Sequence, residues 1–122
     1  MYELKVKKSF SAAHFLRNYR GKCEKMHGHG YTVEVYLQGK RLNHIGYLVD
    51  FTEIKESLNR VIEQLDHGCL NELEAFAISN PTAENIARYI YNGLQNLNME
   101  EIKISAVEVW ETPEQSAKYL PD

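Results

Sequence analysis

Tyr31-Thr32-Val33-Glu34-Val35-Tyr36-Leu37-Gln38 decides the fold class. Tyr31, Val33, Val35 and Leu37 share one face, the period-two signature of a strand buried on one side. Residues 2–10 repeat the pattern, with Tyr2, Leu4, Val6 and Phe10 set against Glu3, Lys5, Lys7 and Ser9. Near the other end, Ile102 to Glu111 is rich in Ile and Val and predicts a third strand. Thr112-Pro113-Glu114 turns the chain, and Ser116 to Leu120 forms a short fourth strand. Gly39 to Gly46 is a loop. After Leu48-Val49-Asp50 the period changes: Ile54, Leu58, Val61, Ile62 and Leu65 make one apolar helical stripe. A second helix starts at Asn80-Pro81-Thr82, with Asn80 as cap and Pro81 in the first turn, where its missing N–H costs nothing. Ile86, Ile90, Leu94 and Leu97 supply its buried face. The order β-β-α-α-β-β predicts an α+β domain, a four-stranded antiparallel sheet with two helices packed on one face.

By length the 122 residues are one domain, 1–122. A net charge of −3 leaves no electrostatic footprint for nucleic acid or an anionic membrane. Arg17, Arg20, Lys22 and Lys25 still crowd together, as a solvated basic loop or as a surface suited to a phosphorylated substrate. Two cysteines, Cys23 and Cys69, are too few for a disulfide scaffold. The opening Met1-Tyr2-Glu3-Leu4-Lys5 lacks the apolar core of a signal peptide, and no apolar run approaches a membrane span. A cytoplasmic location, with free thiols, is expected.

The histidines carry the chemistry. In Cys23-Glu24-Lys25-Met26-His27-Gly28-His29 two imidazoles stand two residues apart. If they continue the strand that includes Tyr31, they point to the same face. His14, after Ser11-Ala12-Ala13, is placed to join them if the first two strands pair antiparallel. Three neutral imidazoles hold a zinc ion and leave its fourth position free for substrate or water. Cys23 is then either a fourth ligand closing a structural site or a thiol with a lowered pKa. Cys69 is expected to be an inert buried residue. Asp66-His67 follows the first helix, either as surface charges at a helix terminus or as a carboxylate orienting an imidazole that shuttles a proton. Glu111, ending the third strand, is either solvated or fixed to accept paired N–H bonds from a planar, guanidine-like ligand edge.

Several blocks together resemble one family. Ser11-Ala12-Ala13-His14, Cys23-x3-His27-Gly28-His29, Leu48-Val49-Asp50-Phe51, Leu65-Asp66-His67, Asn80-Pro81-Thr82-Ala83-Glu84-Asn85 and Glu111-Thr112 occur in the order of the 6-pyruvoyl-tetrahydropterin synthase and 6-carboxytetrahydropterin synthase family. The Cys-x3-His-Gly-His spacing is similar to the bacterial branch that serves queuosine biosynthesis. The resemblance implies the tunnelling fold, assembly into trimers or hexamers, and active sites between subunits. It implies zinc on His14, His27 and His29, Cys23 as thiolate base, Asp66 and His67 as a second proton-transfer pair, and Glu111 as anchor of the pterin ring. It also implies conversion of 7,8-dihydroneopterin triphosphate to 6-carboxy-5,6,7,8-tetrahydropterin, acetaldehyde and triphosphate. The competing expectations are a 6-pyruvoyl-tetrahydropterin synthase and a non-catalytic zinc- or pterin-binding module with Cys23 as fourth ligand. The chain departs from many relatives at Gly68, where they carry a basic or histidine residue.

Overall fold

Alternation carries further along the chain than its clearest stretches mark. The computed structural model describes residues 1–19, 21 and 24–122. Strand β1 spans Tyr2–His14, β2 His27–Gly39, β3 Ile102–Thr112 and β4 Gln115–Tyr119, with helices α1 (Phe51–Leu65) and α2 (Ala83–Gly93) between β2 and β3. The sheet has the order β1-β2-β3-β4, and every pair is antiparallel, as expected from the sequence. Single turns of 3-10 helix at Leu70–Glu72, Glu74–Phe76 and Gln95–Leu97 complete the connections.

One face of the sheet is dry. Val6, Phe10, Tyr31, Val33, Val35, Leu37, Val107 and Val109 are buried there beneath Ile54, Leu58 and Leu65 of α1 and Ile86 and Ile90 of α2. The opposite face is polar. Glu34 and Glu108 stand directly across from each other on it, an unfavourable like-charge pair. They are held by Lys5 and by the Trp110 indole N–H on Glu34, by Ser116 on Glu108, and by the Tyr36 hydroxyl between them. Burial alone would raise the Glu34 carboxyl, but the bonds from Lys5 and Trp110 outweigh it and hold it below its ordinary range.

Both helices are capped from their first turn. Asp50 Oδ1 accepts the Thr52 N–H at 2.9 Å to start α1. For α2 the cap is Thr82, whose hydroxyl accepts the Asn85 N–H at 3.2 Å. Asn80, expected in that role, is two residues too early, and its amide is engaged elsewhere. No helix among the described residues is long and apolar enough to cross a membrane.

Candidate metal centre

The β1–β2 register ends on the pair His14–His27, with Ala12 opposite His29. That register places His14, His27 and His29 on the helix-covered face at the end of the sheet. Their ring centroids are 4.6, 4.9 and 5.1 Å apart, each pair edge to face. One nitrogen from each of the three rings lies within 4.8 Å of the others. His14 is 2% exposed. Its Nδ1–H donates to the Pro81 carbonyl at 2.7 Å, and His27 Nδ1–H donates to the Lys25 carbonyl at 2.7 Å. A carbonyl accepts only, so both Nδ1 atoms carry the proton and both Nε2 atoms present lone pairs.

Those two Nε2 atoms are 3.1 Å apart. Two facing lone pairs at that separation repel unless a proton or a cation lies between them. Protonation is opposed at His14, where burial, with some help from the neighbouring imidazoles, lowers the pKa despite the Pro81 carbonyl. His29 Nε2 is buried without a hydrogen-bond partner. Donors bound to a tetrahedral zinc at their usual bond lengths stand about 3.3 Å apart. The donor types, their tautomers and the His14–His27 spacing therefore fit a divalent cation held by His14, His27 and His29.

Glu111 completes the wall. It lies one position past the Thr32–Trp110 pair, and the β3–β4 register slips between Trp110 and Thr112, which makes Glu111 the extra residue of a bulge. Its Oε2 is 3.3 Å from His29 Nε2 and 3.9 Å from His14 Nε2.

Asp66 and His67 dock on the outer edge of β1. Asp66 Oδ1 accepts the Ser11 N–H at 2.9 Å, His67 N–H donates to the Ser11 carbonyl, and Ala13 N–H donates to the Gly68 carbonyl. Asp66 Oδ2 lies 2.9 Å from His67 Nδ1, and the imidazole side chain is 83% exposed. The Ser11 N–H, with His67 adding to it, holds the Asp66 carboxyl below its ordinary range. His67 has φ of 61°, a left-handed conformation that bends the chain off α1 and onto β1. Gly68 contributes through its carbonyl, and the space around its Cα is open. An open cavity of about 540 Å³ is lined by Ser11, Ala13, Gly28, His29, His67 and Gly68 among others, so the two histidine groups border the same space.

Residues 3–122 match the family model described as 6-pyruvoyl tetrahydropterin synthase. The chain belongs to that family. A 6-carboxy-5,6,7,8-tetrahydropterin synthase of Bacillus subtilis is 37% identical over 128 residues, covering 98% of this chain and 86% of the relative. A dihydroneopterin monophosphate aldolase of Pyrococcus furiosus is 33% identical over 103 residues, covering 84% and 83%. The solved structure of Caenorhabditis elegans 6-pyruvoyl tetrahydropterin synthase superposes with a TM-score of 0.89 at 28% identity, covering 99% and 96%. Structural likeness to this pterin synthase agrees with the tunnelling fold expected from the motifs.

Within this pterin synthase fold, four predicted site residues come together as His14, His27, His29 and Glu111, and Asp66 with His67 form a separate pair. Cys23 lies outside the described residues, as do Arg20 and Lys22. Cys69 is half-buried beside Ala13 rather than enclosed in the core.

Sequence reasoning missed the supports. Asn80 Oδ1 accepts the Arg17 N–H at 2.8 Å while its Nδ2 donates to the Arg17 carbonyl at 3.0 Å. Asn71 grips Phe15 in the same way, at 2.9 and 3.0 Å. Two amides thus act as strand partners for the backbone leaving His14. The Pro81 and Lys25 carbonyls have no side-chain signal at all. Asn80 offered one, because an asparagine before proline outside the helix was free to serve something other than the cap.

Proposed function

We propose that this protein is a zinc-dependent lyase, a 6-carboxy-5,6,7,8-tetrahydropterin synthase. It converts 7,8-dihydroneopterin triphosphate to 6-carboxytetrahydropterin with loss of acetaldehyde and triphosphate, as a step toward queuosine in the cytoplasm. The observation that carries this reading is the convergence of three imidazole donors with two Nε2 lone pairs facing each other at 3.1 Å. Family membership and the name carried by the B. subtilis relative support the reaction class. His14, His27 and His29 hold the ion, which supplies Lewis acidity to substrate hydroxyls and so acidifies the adjoining C–H.

The chain's own groups do the rest. Cys23, as thiolate, removes a proton from one face of the substrate. His67, oriented by Asp66, gives or takes a proton on the other, from the same subunit's site or from that of a neighbour in a homo-oligomer, a trimer or hexamer. The Asp66 carboxylate, held below its ordinary range, lies 2.9 Å from His67 Nδ1 and orients the ring. Glu111 accepts the paired N–H groups of the pterin edge. Lys25 belongs to the basic rim suited to triphosphate.

Incubation with dihydroneopterin triphosphate and mass analysis of the products tests the assignment. The carboxy product together with acetaldehyde is expected. A pyruvoyl product would favour the activity named for the C. elegans neighbour. Replacing Cys23 by Ala should abolish turnover and leave zinc bound, whereas metal loss in that variant would make Cys23 a fourth ligand of a non-catalytic site.

A further inference from the structure

Glu111 is closer to the imidazoles than a ligand anchor needs to be. Its Oε2 stands 3.3 Å from His29 Nε2 and 3.9 Å from His14 Nε2, while His14 and His27 present their Nε2 atoms 3.1 Å apart. Two of these separations, 3.1 and 3.3 Å, are near the edge of a tetrahedron of donors around one small divalent ion, about 3.3 Å, and the third, 3.9 Å, is longer. A hydrogen bond does not account for the approach, because His29 Nε2 has no hydrogen-bond partner although the carboxylate is beside it. Strand alternation, in step with the buried Val107 and Val109, places this side chain on the same face as the histidines. The carboxylate is also free to leave: its side chain is 25% exposed and carries no other hydrogen bond or ion pair among the described residues.

We propose that Glu111 is the fourth metal ligand of the substrate-free protein, and that a substrate bearing neighbouring hydroxyls opens the coordination shell by displacing it. The freed carboxylate is then available to the planar N–H edge of the same ligand. The inference rests on the metal reading above. It makes Glu111 a gate as well as an anchor: the resting ion is closed to water and adventitious ligands, and only a guest offering both hydroxyl oxygens and an N–H pair compensates for its release. A carboxylate ligand also neutralises one of the ion's two charges while the site is empty of substrate.

Cobalt(II) added to the metal-free full-length protein reports coordination through its visible absorption, and chelator competition gives zinc affinity. Glu111→Gln should alter the substrate-free cobalt spectrum and weaken zinc binding at least tenfold, the scale of losses when even an outer partner of a metal ligand is removed. Neopterin, which carries the hydroxylated side chain without phosphate, should change the wild-type spectrum and leave the E111Q spectrum much less affected. Glu111→Asp keeps the charge but shortens the reach, so it should lose affinity as E111Q does. Wild-type spectrum and affinity in E111Q, or full affinity in E111D, would overturn direct ligation while leaving the three-histidine site intact. If wild type binds no more metal than a His27→Ala variant, the metal reading itself fails and this proposal fails with it.

Discussion

Replacing Asn80 by Ala should weaken both the fold and the metal site through one peptide. The side chain makes two hydrogen bonds to Arg17, at 2.8 and 3.0 Å, and its own carbonyl accepts from Asn85 Nδ2 at 2.8 Å. The next carbonyl, that of Pro81, accepts the Nδ1–H of His14. Two half-buried hydrogen bonds at about 1 kcal/mol each give a loss of about 2 kcal/mol, since water reaches part of the vacated site. For a chain of this length that corresponds to a fall of about 8 °C in Tm. The metal site should respond separately. The Pro81 carbonyl fixes the His14 tautomer, and disturbing such a partner costs about 10–100-fold in affinity. Pro81 remains in place but less firmly held, so the lower end, about tenfold, is expected. Thermal melts of metal-free protein and chelator competition for zinc measure the two effects independently. Asn71→Ala removes the matching pair of bonds to Phe15 without touching the Pro81 peptide, and should lower Tm by a similar amount with a smaller change in affinity. Unchanged zinc affinity in Asn80→Ala beside a lowered Tm would refute the coupling and leave Asn80 as a loop clamp.

Tyr31→Phe should stabilise the protein: the hydroxyl is fully buried without a partner, a defect worth about 1–3 kcal/mol, while the stack on Phe10 is kept. Urea unfolding checks this, and a loss above about 1 kcal/mol would mean the hydroxyl has a partner in the folded protein. Gly93→Ala should destabilise by about 1–3 kcal/mol although alanine is the better helix former, because its Cβ would meet Val61 Cγ2 at 2.8 Å and valine has little freedom to move aside. A rise in Tm would refute the close approach. Asp66 has a depressed folded pKa, so its contribution is present above the ordinary Asp pKa of about 3.9 and is lost as pH falls through the folded value. Urea titrations across that range should show a shallower acid limb in Asp66→Asn than in wild type. His27→Ala should reduce zinc affinity more than 100-fold, beyond the range for an outer partner. Its metal-free melt should move little, since the ring is only half-buried.

The parts of the fold legible in the sequence are those dictated by period. Val33, Val35 and Leu37 had to share a face, and so did Ile54, Leu58, Val61 and Leu65, because strand and helix geometry leave those side chains no other common direction. The histidine cluster was legible for the same reason: His27 and His29 keep the parity of Tyr31, and antiparallel pairing then brings His14 across from His27. What escaped depends on backbone groups. Glu111, by contrast, keeps the parity of Val107 and Val109 and so reaches the histidine face by alternation alone. The Pro81 carbonyl could have belonged to any residue, since its chemistry is that of every peptide. These unannounced features nevertheless control the chemistry that the visible histidines advertise. Residue type names a metal site, but two carbonyls set the tautomers, and those decide whether the site is poised for binding or merely rich in nitrogen.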